Sequence, residues 1–149
     1  MGAEVFEVEA NGKDMKEAFQ FAVDTAFYDW GHSGYTGTIA EKPGAYLIPT
    51  PAGVLAQDVK NMIEKAQRWD DFYTWPNQTP EQKAKQDEYL SESKEAFKQV
   101  VKWYGEDEAS KIVKKSDAKW DEAIAIELTD DEHPKDGERW FLFFGWASS

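Results

Sequence analysis

The sequence predicts an α+β fold: a mostly antiparallel sheet made of an N-terminal strand, a short central hairpin and a C-terminal hairpin, packed with three to four helices. Three observations point there. Strand-like runs stand at both ends of the 149-residue chain, helical stripes of apolar residues fill the middle, and glycine or proline pairs separate them. Runs of strands at the ends with helices between favour segregated layers over alternating βαβ units.

Ala3 to Ala10 alternates Phe6 and Val8 with Glu7 and Glu9, the period of a half-buried strand, and ends at the turn pair Asn11-Gly12. From Asp14 the period becomes helical: Met15, Ala18, Phe19, Ala22, Val23, Ala26 and Phe27 share a face until Gly31 stops it. Next, Pro43-Gly44 separates two β-prone runs, Tyr35 to Ala40 and Ala45 to Ile48, which read as a hairpin entered through a glycine-rich loop. Beyond Pro49, Pro51 and Gly53, the positions Val54, Leu55, Val59, Met62, Ile63 and Ala66 predict a second helix ending near Trp69.

Thr79-Pro-Glu-Gln is a helix-start signal, with a threonine cap, proline at the first helical position and glutamine three residues after the cap. It opens a long third helix to about Tyr104, whose apolar positions Tyr89, Ala96, Phe97, Val100 and Val101 crowd its second half. The first half, EQKAKQDE, reads as a solvated face. A short helix is expected from Glu106 to Lys115. Two strand-like runs, Glu122 to Leu128 and Arg139 to Ala147, then flank a charged turn and read as a hairpin. In the last run Trp140, Leu142, Phe144 and Trp146 alternate with Phe141, Phe143, Gly145 and Ala147. Both faces are apolar, so this strand is expected to be central and covered on both sides.

The length suits one domain, with no repeat or linker. No apolar stretch approaches the roughly 20 residues of a membrane helix, and the N-terminus lacks the basic and apolar regions of a secretory signal. A cytoplasmic location is the expectation. With no cysteine, disulfides, thiolate metal sites and a cysteine nucleophile are excluded. The formal charge of −12 is uneven: residues 1–60 carry 9 acids and 4 bases, residues 61–120 carry 12 and 11, and residues 121–149 carry 8 and 2. Such a field repels phosphate backbones and suits a basic protein surface. Direct nucleic-acid binding is not expected. Net negative charge also serves plain solubility.

Two places offer chemistry. Residues 31–38, Gly-His-Ser-Gly-Tyr-Thr-Gly-Thr, combine closely spaced amides with His32, Ser33, Tyr35, Thr36 and Thr38, and Lys42 follows as a cation. This loop is a candidate cradle for a small anion, nucleotide or phosphoryl group. It follows a helix and lacks Gly-Lys-Ser/Thr, so it is not a phosphate-binding loop of the usual order. The competing reading is structural: Gly31 ends the helix in a left-handed cap, and the other glycines relieve crowding. Adjacent side chains point apart, so Ser33 and His32 do not form a nucleophile pair. His32 and His133 are the only histidines, and no metal or cofactor is called for.

The second place is a set of aromatic and acidic residues suited to a partner. Seven tryptophans are spread along the chain, most of them expected in packing. Trp69, Phe72, Tyr73 and Trp75 are candidate interface anchors, and Asp130, Asp131, Glu132 and Asp136 form a candidate acidic contact.

The segments GHSGYTGTIAEK (31–42) and FFGWAS (143–148) resemble uncharacterised small proteins encoded by bacteriophages and prophages. The resemblance implies an accessory protein working inside an infected bacterium, where such proteins often act by stoichiometric binding to host machinery. No acid, base and nucleophile set can be named, so a binding protein that inhibits or modulates a basic host protein is the leading expectation. A small-molecule binding protein or hydrolase using residues 31–38 is the alternative.

Overall fold

The computed structural model describes residues 3–31, 36–67, 79–128 and 139–148. Its strands are β1 (Ala3–Gly12), β2 (Ala45–Ile48), β3 (Ala123–Leu128) and β4 (Arg139–Ser148), and its helices are α1 (Met15–Trp30), α2 (Ala56–Ala66), α3 (Pro80–Tyr104) and α4 (Glu106–Asp117). The strands form one sheet in the order β1-β4-β3-β2. The α+β class expected from the sequence is the observed one, and the sheet is mixed. β4 pairs antiparallel with both β1 and β3, with Val8 opposite Phe143 and Ala125 opposite Phe143 on its other side. β2 pairs parallel with β3.

That parallel pair corrects the expected central hairpin. Thr36 to Ala40, the described part of its first arm, forms no strand; Ile39–Glu41 is a single 3₁₀ turn capped by Thr38. Two local causes are visible. Gly37 takes φ +70°, which breaks an extended run, and a side chain there would also meet the Glu4 carboxylate at 2.6 Å. Ile39 then turns inward and is buried among the α1 residues. With that arm consumed, β2 pairs instead with β3. Parallel neighbours need a long crossover, and α2, α3 and α4 supply it.

Alternation along β4 divides the interior into two layers. Phe141, Phe143 and Ala147 pack with Phe6, Ala10 and the α1 residues Ala18, Ala22, Val23 and Ala26. Leu142 and Phe144 join Ile124 and Ile126 under α2, α3 and α4, which bury Val59, Ile63, Val100 and Ile112. β4 is thus central and covered on both faces, as its doubly apolar pattern requires. Ser93 of α3 donates to the Lys65 carbonyl at 2.9 Å, and the Tyr104 hydroxyl donates to the Pro49 carbonyl at 2.6 Å, tying the long helix to α2 and to the end of β2.

Helix α1 starts where Asp14 accepts the Glu17 amide at 2.9 Å and stops at Gly31, φ +82°, whose amide donates to Phe27. At α3 the sequence signal is realised in full: Thr79 accepts the Gln82 amide at 3.2 Å, and the Gln82 side chain accepts the Thr79 amide at 3.1 Å. Thr79→Ala is therefore expected to cost about 1 kcal/mol in urea unfolding. An unchanged midpoint would show that the exposed first half of α3 contributes nothing to the cooperative unit.

Candidate functional site

The described part of the glycine-rich loop gathers its hydroxyls around a carboxylate. The Thr36 amide and hydroxyl donate to Glu41 Oε2 at 3.1 and 2.6 Å, and the Thr36 and Thr38 hydroxyls lie 2.8 Å apart. Thr38 also accepts the Ala40 amide at 3.3 Å. Lys42 is not beside them. Only 6% exposed, its Nζ donates to the carbonyls of Ala118 and Lys119 at 2.9 and 3.4 Å, where it caps the C-terminal end of α4. The structure thus brings Thr36 and Thr38 together and places the Lys42 ammonium at the C-terminal end of α4. His32, Ser33 and Tyr35 lie outside the described residues.

Burial lowers the Lys42 pKa from 10.5 to about 8, with the nearby Asp121 carboxylate opposing the shift. A lysine whose folded value is depressed loses its proton in the folded state first. The cost of burying that cation is felt in full below pH 8 and fades as pH rises toward 10.5. The parent should gain stability relative to Lys42→Met across that window, measured by urea midpoints. A constant difference from pH 7 to 10.5 would mean that Lys42 titrates like an exposed lysine.

A second cleft, of about 340 Å³, opens beside β4 and is lined by Val5, Glu64, Gln67, Asp117, Phe144, Gly145 and Trp146. Gln67 bridges its wall, accepting from Trp146 Nε1 at 3.1 Å and donating to Ser116 at 3.0 Å. At its rim Lys60 lies 2.7 Å from Glu64 and 3.4 Å from Glu7. Burial pulls the Lys60 pKa down, but the hydrogen bonds and charges of Glu64 and Glu7 outweigh it and leave the ammonium above its ordinary value. The cleft is lined by an ammonium shared between two carboxylates, by the Asp117 carboxylate and by an amide that both donates and accepts.

The outward face of α1 is different. Phe21 there is 57% exposed and Tyr28 90%, while Trp30, 67% exposed, ends the helix on the side that faces β1. Phe21 and Tyr28, seven residues apart, stand one above the other on that face. Exposed Glu17 and Asp24 flank them, and Asp29 stands in the last turn. From residue 17 to residue 31 the chain has no lysine or arginine. Among the described residues no cation pairs with Glu17, Asp24 or Asp29. Asp29 adds a carboxylate where the helix dipole is already negative, a placement that costs stability and builds a local field for cations.

β1, an outer strand of the sheet, packs against the opposite, buried side of α1. Between them lies a groove of about 200 Å³ formed by Phe6, Val8, Ala26, Trp30, Thr38 and Ile39, with Asp29 and Thr25 at its mouth. Sequence reading missed the outward face of α1 because it sought anchors in the acidic stretch Trp69 to Trp75. The available signal was the set of aromatic residues in the first helix that fall off its buried stripe. Trp69, Phe72, Tyr73, Trp75, Asp130, Asp131, Glu132 and Asp136 lie outside the described residues. Of the five described tryptophans, Trp103, Trp140 and Trp146 are half-buried and Trp30 and Trp120 are exposed, so they furnish rim rather than core.

No helix among the described residues is long and apolar enough to cross a membrane, and no group of three or more histidines or carboxylates among them could hold a metal ion. Comparison of the chain with protein-family models, with curated proteins and with solved structures finds no match.

Proposed function

We propose that this chain is an acidic binding protein that docks stoichiometrically on a basic surface of another protein, which it inhibits or modulates. A bacterial host protein is the partner class implied by the phage resemblance. The observation that carries the reading is the α1 face: aromatic rings held out in water beside carboxylates that no cation among the described residues pairs, with no lysine or arginine in residues 17–31. Aromatic side chains dominate binding energy where they become desolvated, and like charge around them selects a partner of the opposite sign. The α1 face needs no help from the glycine-rich loop, whose described hydroxyls are engaged within the loop, Thr36 by Glu41 and Thr38 by Thr36.

The test is capture from bacterial lysate at low salt, comparing the parent with Asp24→Lys/Asp29→Lys. Both positions are exposed, so the fold should survive. A basic protein held at one-to-one stoichiometry by the parent and released by the variant is the expected result. Equal capture by both would place the contact elsewhere, and capture of no basic protein by the parent would end the reading.

A further inference from the structure

Resting on that binding reading, we propose that the partner supplies an extended segment bearing lysine or arginine at alternate positions, which adds to the sheet as a fifth strand along the outer edge of β1 at Ala3–Val8.

Three features of β1 support this. First, β1 ends the sheet, and among the described residues only β4 pairs with it. An outer strand offers a row of backbone donors and acceptors that another chain can extend. Second, its guards have one sign. Proteins protect long edges with lysine, proline or bulges, yet β1 has neither lysine nor proline and carries Glu4, Glu7 and Glu9. Glutamates repel a second copy of the same strand, because self-addition sets carboxylate near carboxylate, and they attract a basic one. The edge is thereby closed to this chain and open to its charge opposite.

Third, the groove between β1 and α1 follows that edge. Its apolar floor of Phe6, Val8 and Ala26 and its Trp30 wall suit the apolar side chains of an added strand. Asp29 at the mouth adds a carboxylate on this side of the sheet, and Glu7 and Glu9 lie on the opposite face, where the alternate cations fall and where Glu7 is 3.4 Å from Lys60. On that opposite face Val5 is half exposed, so the strand presents an apolar contact to each face of an incoming segment. Strand addition fixes affinity through the main chain and selectivity through alternate side chains. That division matches an acidic edge with an apolar groove.

The experiment uses the whole chain and an acetylated, amidated heptapeptide of alternating lysine and valine. A second peptide of the same composition but alternating L- and D-residues has equal charge and cannot extend a sheet of L-residues. The expected result is that the all-L peptide raises hydrogen-exchange protection of alternate amides within Ala3–Val8 by tenfold or more, while the mixed peptide leaves them unchanged. Equal effects of the two peptides would show binding by charge alone and overturn the inference. No added protection at millimolar all-L peptide would also overturn it. The two levels separate cleanly: if protection is absent while Asp24→Lys/Asp29→Lys still abolishes partner capture, the edge pairing is wrong and the binding reading stands. If capture fails as well, both fall.

Discussion

Phe143→Ala should lower stability by about 3 to 5 kcal/mol, the range for truncating a large aromatic side chain in a packed core. Phe143 is fully buried in the central strand. Its ring meets Phe19 of α1 edge-on at 5.9 Å between centroids and lies 6.3 Å from Phe141. Removing it opens a cavity between the sheet and α1, the helix that covers this side of the strands among the described residues. Urea unfolding at neutral pH would measure the loss. A variant that melts like the parent but loses self-association or a partner would show that the doubly apolar strand is an interface instead.

The opposite result is expected at the helix surface above it. Phe21→Ala/Tyr28→Ala removes two rings that are mostly in water already, so the melting temperature should change little. Binding to the basic partner should fall by at least 100-fold. Truncated aromatic anchors typically cost about 2 kcal/mol each or more, which is about 30-fold per residue, and neighbouring anchors are not additive. Isothermal titration with the purified partner reads this directly. A loss of less than threefold would strip these rings of any anchoring role, and a large fall in melting temperature would mean that they support the fold.

The contrast between Phe143 and Phe21 also shows what the sequence could reveal. Alternation with apolar residues on both faces placed β4 at the centre of the sheet, because only a strand covered on both sides tolerates that pattern. The Thr79 cap and the stripe from Met15 to Phe27 were equally plain, since both are local signals written over a few turns. β2 was harder. Ala45–Ile48 reads as a strand, but its partner β3 lies beyond three helices, and four residues contain nothing that selects a distant parallel neighbour over a nearby antiparallel one. The first arm of the hairpin gives way because Gly37 takes a positive φ and Ile39 finds its burial under α1, and the second of these has no local signature.

For the candidate site, composition suggests acidic residues suited to a partner, and charge counting puts the excess at the chain ends. It could not say which aromatics remain in solvent. Helical periodicity marks Phe19 and Phe27 as inward, and Phe21 and Tyr28 follow as outward residues only once the buried stripe is fixed. Lys42 follows the loop in sequence, and local spacing alone makes it a cation for a ligand there. Its reach to the carbonyls at the end of α4, 76 residues on, is a tertiary fact with no local signature.

The most direct test of acidic docking is the rate of association with the captured basic partner, followed by stopped-flow tryptophan fluorescence as salt rises from about 20 mM to 500 mM. If the field around α1 and β1 guides encounter, the association rate should fall steeply with salt while dissociation changes little, and Asp24→Lys/Asp29→Lys should flatten that dependence. An association rate indifferent to salt, or a slope unchanged by the two reversals, would contradict docking through this face.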